Sequence, residues 1–280
     1  MKLLKRAGIP LLAVLLLSVL PAQAQRKPRI KGNRQVIEIL ENLPPFRHVR
    51  LADDLEVHLE RGDSEGYRLE VDDNLVDVLR FDVADSTLVI ASFYQITGSK
   101  KLDITVRYRE LASVRAEAGS LVSEEVIEGN TLAISATEAA RLQLRLRAPL
   151  VSLEMDGNSR GDLNAEADSL HIALSDHTDV NLYTVNQGMA LEQGGHASLS
   201  LEGVSTEAAV GLSDNASLKA EGLVATRMKA RLEGSAVARV RADSELELDA
   251  AGGTRTYLYG QPQVRITRFA DRAELHKEPE

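Results

Sequence analysis

Between residues 114 and 259 the chain repeats one short pattern about every 19 residues, and self-similarity at such a period specifies a solenoid. Each unit sets two inner positions five and three residues ahead of a small or polar turn residue. Val114 and Ala116 precede Gly119, Leu132 and Ile134 precede Thr137, and Leu153 and Met155 precede Asn158. The series continues with Ile172 and Leu174 before His177, Leu191 and Gln193 before His196, and Val210 and Leu212 before Asn215. Ala230 and Leu232 before Ser235, then Leu248 and Ala250 before Gly253, complete it. From Thr137 on, a second pair generally follows each turn, as Val180 and Leu182 or Leu199 and Leu201 do. Alternation of period two on both sides of a turn reads as strand, corner, strand, with side chains alternately inside and outside. Even residues 138–147, which could be drawn as a helix, keep that period through Leu142, Leu144 and Leu146.

No helical segment is left to make the crossovers of an ordinary parallel sheet. The pattern therefore predicts an all-β chain wound as a right-handed parallel β-helix, with coils stacked ~4.8 Å apart. Upstream, the alternation persists but loses its period, over residues 35–39, 48–51, 55–60, 67–71, 79–83, 87–91 and 102–106. These are expected to form an irregular N-terminal β cap, the usual protection for the open edge of a solenoid. One domain over residues 35–275 results: irregular strands to 110, repeats over 111–260, and a C-terminal cap over 261–275 followed by a short tail, 276–280.

The first residues read as a processing signal. Lys2, Lys5 and Arg6 precede an apolar run that ends at Ala22-Gln23-Ala24, a small-residue cleavage site. The run is shorter than the ~20 residues of a spanning helix, so a leader over 1–24 and an exported product without an integral membrane segment are expected. Residues 25–34 carry Arg26, Lys27, Arg29 and Lys31 without periodicity and read as a flexible basic arm. Losing the three leader charges takes the net charge from -9 to -12, which argues against nucleic acid as a partner. There is no cysteine, hence neither a disulfide framework nor a lipid-accepting thiol.

Several segments resemble one family. Phe46-Arg47-His48-Val49 through Leu55-Glu56-Val57-His58-Leu59, then Asp85-Ser86-Thr87-Leu88-Val89-Ile90, are similar to the GIN domain, an autotransporter-adhesin head of exported bacterial proteins. So are residues 102–114 running into Ala118-Gly119-Ser120, and the closing Tyr257-Leu258-Tyr259-Gly260-Gln261-Pro262. The resemblance covers residues 36–275 and implies a right-handed parallel β-helix outside the cytoplasm. Its corners depart from the Gly-Ser-Gly that family members repeat, as in Asp176-His177-Thr178 and Gly195-His196-Ala197. It brings no catalytic residues.

Two constellations are candidate sites. Asn158, His177, His196 and Asn215 share one phase of four consecutive coils, so His177 and His196 should be neighbours able to take Zn(II), with Asp176, Asp179 and Asp214 close in sequence. Near the C-terminus, Tyr257 and Tyr259 should face one side while Leu258 faces the other; with Arg255 and Arg265 they offer a surface for a sugar or an acidic glycan. The competing readings are a polar turn ladder and a capping cluster. Outward Glu154, Asp162 and Glu166, or Arg239 and Arg241, are the material for a polysaccharide lyase or hydrolase, but no nucleophile elbow or phosphate loop accompanies them. The expected protein is a non-enzymatic scaffold without a cofactor, in the periplasm or at the cell surface, that binds a glycan or envelope protein. A polysaccharide-active enzyme and an envelope protein that joins copies of itself end to end are the alternatives.

Overall fold

A computed structural model describes residues 27–279. The predicted leader lies outside the described residues. Six strands, Arg141–Met155, Arg160–Leu174, Asp179–Gln193, Ser198–Leu212, Ser217–Leu232 and Val237–Ala250, each form one coil. Each pairs in parallel with the next, within a β-solenoid of about nine turns.

A coil has two corners, of which the repeat pattern marks one. That one is the short turn between strands. The other is a change of phase inside the strand: in Arg160–Leu174 burial alternates as far as Glu166, then Asp168 and Ser169 are both exposed before Leu170 resumes the inward series. Two outward residues in succession reverse the phase, so one strand lines two walls. The first wall follows the turn and the second precedes it.

Between the walls, inward side chains stack in rows. Ile134, Leu153, Ile172, Leu191, Val210, Ala230 and Leu248 are successive register partners, and all are buried. Burying a side chain of this kind stabilises the fold by ~1.5–3 kcal/mol.

The turns also repeat a backbone conformation. Gly119, Glu138, Gly157, Asp176, Gly195, Asp214, Gly234, Gly252 and Asp271 all have positive φ, between 52° and 88°. This left-handed position falls one residue before the histidines and asparagines of the polar ladder. At Gly157 it coincides with a close approach, because a Cβ there would lie 2.8 Å from the Glu138 carbonyl oxygen. In three places an aspartate holds the position next to a glycine of the preceding coil and accepts from its N–H: Asp176 from Gly157 at 3.3 Å, and Asp214 from Gly195 and Asp271 from Gly252, each at 3.1 Å.

The N-terminal strands lie within three residues of their expected bounds, but their order in the stack is new. His48–Leu51 sits between Thr87–Ser92 and Ser113–Ala116, and Glu56–Arg61 between Leu102–Tyr108 and Ser120–Glu128. The coil made first in sequence is thus not first in the stack. Gly66–Asp72 and Leu79–Ala84 fold back antiparallel on Leu102–Tyr108 and Thr87–Ser92, joined by a 3-10 turn over Asp73–Val78, and Val36–Asn42 forms the outermost strand. Tyr67 stacks on Phe81 with ring centroids 4.1 Å apart, bridging the walls at this end.

Two readings of the ends change. Residues 27–30 do not project as a flexible arm: Arg29–Ile30 pairs with Gln95–Ile96, and Lys27 donates to the Ser92 carbonyl at 2.8 Å and to Asp53. Strand pairing takes them because the cap offers a free edge. At the other end residues 261–275 are not a lid. Gln263–Phe269 and Glu274–Lys277 form the last coil itself, using two residues of the expected tail, and each pairs on one side only.

The outer face of the first wall as a candidate binding site

Among the described residues, large apolar side chains are well exposed in three places. Ile37, Leu40, Phe93 and Tyr94 belong to the N-terminal cap, Val264, Ile266 and Phe269 to the last coil, and Tyr183, Val185 and Val204 to the flank of the first wall. The flank is the one away from either end.

Phase puts it there. In Asp179–Gln193 the residues Val180, Leu182, Thr184 and Asn186 point inward, which leaves Asn181, Tyr183 and Val185 outside. The inward polar pair is held within the wall: Thr184 Oγ1 donates to the Ala165 carbonyl at 2.9 Å, Asn186 Nδ2 to Thr184 Oγ1 at 3.1 Å, and Ser205 Oγ to Asn186 Oδ1 at 2.7 Å. This network fixes the segment that carries Tyr183 and Val185. Gly203, the register partner of Thr184, has φ 120°, and a Cβ there would meet the Thr184 carbonyl oxygen at 1.9 Å.

Register then composes the surface. Arg145, Asn164, Tyr183 and Glu202 succeed one another across four coils, and Val185 stands beside Val204. An open groove of about 460 Å³ runs between the Arg145–Glu202 row and the row of Gln143, Asp162, Asn181 and Ser200, with Glu124 at one end. Asn181 Nδ2 donates to Asp162 Oδ1 at 2.8 Å, whereas Glu124, Arg145 and Glu202 have no ion-pair partner among the described residues. An exposed ring among unpaired charges and amides is suited to a ligand with both apolar and hydroxylated faces.

The neighbouring row shows what a wall looks like when its charges are matched. Arg61 meets Glu128 at 2.8 Å, Glu128 meets Arg147 at 3.4 Å, and Arg147 meets Glu166 at 2.8 Å; the row then continues into bare Val185 and Val204. Hydrogen bonding to Arg147, with its charge, holds the Glu166 carboxyl below its ordinary range. A general acid needs the opposite shift. Glu154 lies on the second wall, so it cannot work with Asp162 or Glu166 on the first. The second wall carries a larger trough, about 950 Å³, with a floor of Ala173, Ala209 and Gly211; on its rim Arg231 pairs with Glu233 at 2.8 Å.

The sequence candidates take definite positions. His177 and His196 are neighbours, with ring centroids 4.9 Å apart and planes 1° from parallel, and Asn215 Nδ2 lies 3.4 Å from His196 Nε2. Imidazole lone pairs lie in the ring plane, so two parallel rings at this separation do not converge on one ion ~2.0–2.1 Å from each nitrogen. Among the described residues no group of three or more histidines and carboxylates could hold a metal. Tyr257 and Tyr259 flank buried Leu258 and share the first wall with Arg255. Arg265 is not with them; it pairs beside Glu247 on the second wall. The Tyr257 ring is covered on both faces, with the Arg239 guanidinium 5.2 Å from its centroid and the His276 ring at 5.1 Å. That geometry suits the capping cluster and leaves neither face free for a sugar.

Tyr183, Val185 and Val204 were not singled out from the sequence. Their signal was present: large apolar residues in an outward phase of a repeat whose other outward positions are mostly polar or small.

In-register rows of side chains on two outer walls define a β-solenoid. The chain belongs to the family described as "Putative auto-transporter adhesin, head GIN domain", whose model matches residues 45–190 and 184–262. Three crystal structures share the fold. A "putative adhesin" from Parabacteroides distasonis is 17% identical, with a TM-score of 0.67 over 89% of this chain and 99% of that one. A "putative adhesin" from Parabacteroides merdae is 16% identical, with a TM-score of 0.64 over 90% of this chain and all of that one. A "Putative lipid binding protein" from P. distasonis is 17% identical, with a TM-score of 0.62 over 90% and 100%. No curated protein matches the chain. No helix among the described residues is long and apolar enough to cross a membrane.

Proposed function

We propose that this protein is an exported, non-enzymatic adhesion scaffold of the bacterial envelope, in the periplasm or at the cell surface, and that it binds glycan chains along the first wall. The observation that carries the reading is the flank groove, where Tyr183 stands exposed between Asn164 and Glu202 with Arg145 one coil further on. Adjacent coils repeat every ~4.8 Å, so a chain of sugars laid along the stack meets a new set of side chains at each unit. Such contacts are individually weak and add along the array. Family membership and the three neighbouring folds support export and an adhesive role.

Tyr183→Ala tests the assignment. Aromatic contacts of this kind are worth ~0.5–1.5 kcal/mol, so the variant should bind the best ligand of a glycan array up to about tenfold more weakly, with an unchanged melting temperature. A wild-type protein that retains no glycan, or a variant that retains it equally well, would refute the reading.

A further inference from the structure

The two ends of the solenoid carry edge strands that match each other. Val36–Asn42 pairs only with Gly66–Asp72, and Gln263–Phe269 only with the coil before it. Both have seven residues. Laid side by side in one direction, they set Ile37 beside Val264, Glu38 beside Arg265 and Ile39 beside Ile266; past Ile266 the extra residue Thr267 shifts the register. The first strand holds two acids and no base; the second holds two bases and no acid.

The faces agree as well. Ile37 and Ile39 stand beside buried Val71 and Leu69, and Val264 and Ile266 beside buried Leu246 and Leu248, so all four prolong the core rows. Glu38 and Arg265 fall in the outward phase, beside Glu70 and Glu247. At the C-terminal end the core is left open: Val264, Ile266 and Phe269 are 40–49% exposed.

We infer that a second copy of this chain covers that end, its Val36–Asn42 strand adding to Gln263–Phe269 in a head-to-tail stack. The two strands lie on opposite walls, so each copy turns by half a revolution about the long axis relative to the one before. This turn also brings Leu79–Ala84 of one copy over Glu274–Lys277 of the other. The contact is heterologous, so the assembly grows as a filament. One coil end is small beside the ~1,600 Å² of a standard interface, so growth depends on concentration, and salt screens its ion pairs.

Sedimentation of purified full-length protein up to ~1 mM tests the inference, with electron microscopy of the same samples. The expected result is a mass that rises with concentration past the dimer and falls at high salt. Ile266→Asp and Ile37→Asp, each at an exposed edge, should remain monomeric, while an equal mixture of the two should form a dimer and stop. Should either variant fail to fold, Glu38→Arg and Arg265→Glu take their place: each alone weakens assembly at least tenfold, and the double variant recovers it. A wild-type protein that stays monomeric throughout, a mass that halts at two, or edge variants that assemble like wild type would each overturn the inference. The Tyr183 flank is distant from both ends, so this outcome and the glycan result are independent.

Discussion

At the level of single residues, the turns show how a repeat tolerates drift in its sequence. One position per coil must adopt positive φ, at a cost of ~1–2 kcal/mol for most side chains, which glycine avoids and aspartate offsets with a hydrogen bond. Asp214 does this by accepting from Gly195. Asp214→Ala should therefore lower stability by about 1 kcal/mol more than Asp214→Gly does, since alanine keeps the strain and loses the bond. Equal melting temperatures for the two would show that the strain is not there. Tyr108 offers a second test. Burial, reinforced by the charge of Glu125, pushes its hydroxyl up to about 12. The raised value means that the folded state holds its proton longer than the unfolded chain, whose tyrosines titrate near ~10. Its contribution is thus intact below pH ~10 and is lost as pH rises through 12. In alkaline denaturation Tyr108→Phe should flatten that limb, and an unchanged profile would remove Tyr108 as its source.

At the level of the strand, the sequence states the alternation but conceals one of the two corners. The turn at Asp156–Ser159 is visible because its chemistry is polar and small. The bend at Asp168–Ser169 is two outward residues in a row, which in a sequence looks like any lapse of pattern. For the same reason the flank was missed: Tyr183 and Val185 are strand residues of good propensity, and only the phase set by Val180 and Leu182 reveals that they face outward. The backbone beneath them can also be tested. Gly203→Ala would drive a methyl into the Thr184 carbonyl, forcing the first wall apart under Tyr183. We expect a loss of ~1–3 kcal/mol, the range for overpacking in a tight site, together with loss of glycan binding. Alanine tolerated there with binding intact would show that the Thr184–Asn186–Ser205 network does not set the flank.

Across the whole molecule, order along the chain and order in the stack part company at the N-terminus. Residues 48–61 could be read as strands, but nothing local says that residues 87–108 return to lie under them, because that choice is made by which edge is free when the chain doubles back. The same holds for residues 27–30, a basic segment without periodicity that docks because the cap offers a strand to pair with. It holds also for Arg265, which is near Tyr257 in sequence and on the opposite wall in space. What the sequence determined alone is the coil: a period near 19 residues, inward aliphatics and small or polar turn residues leave no fold but stacked parallel strands, since each is a short-range constraint repeated many times. Only the tertiary structure decided which outward residues become neighbours, which end stays open and which rings are already covered, because those depend on register between coils and on long-range edge pairing that no local pattern encodes.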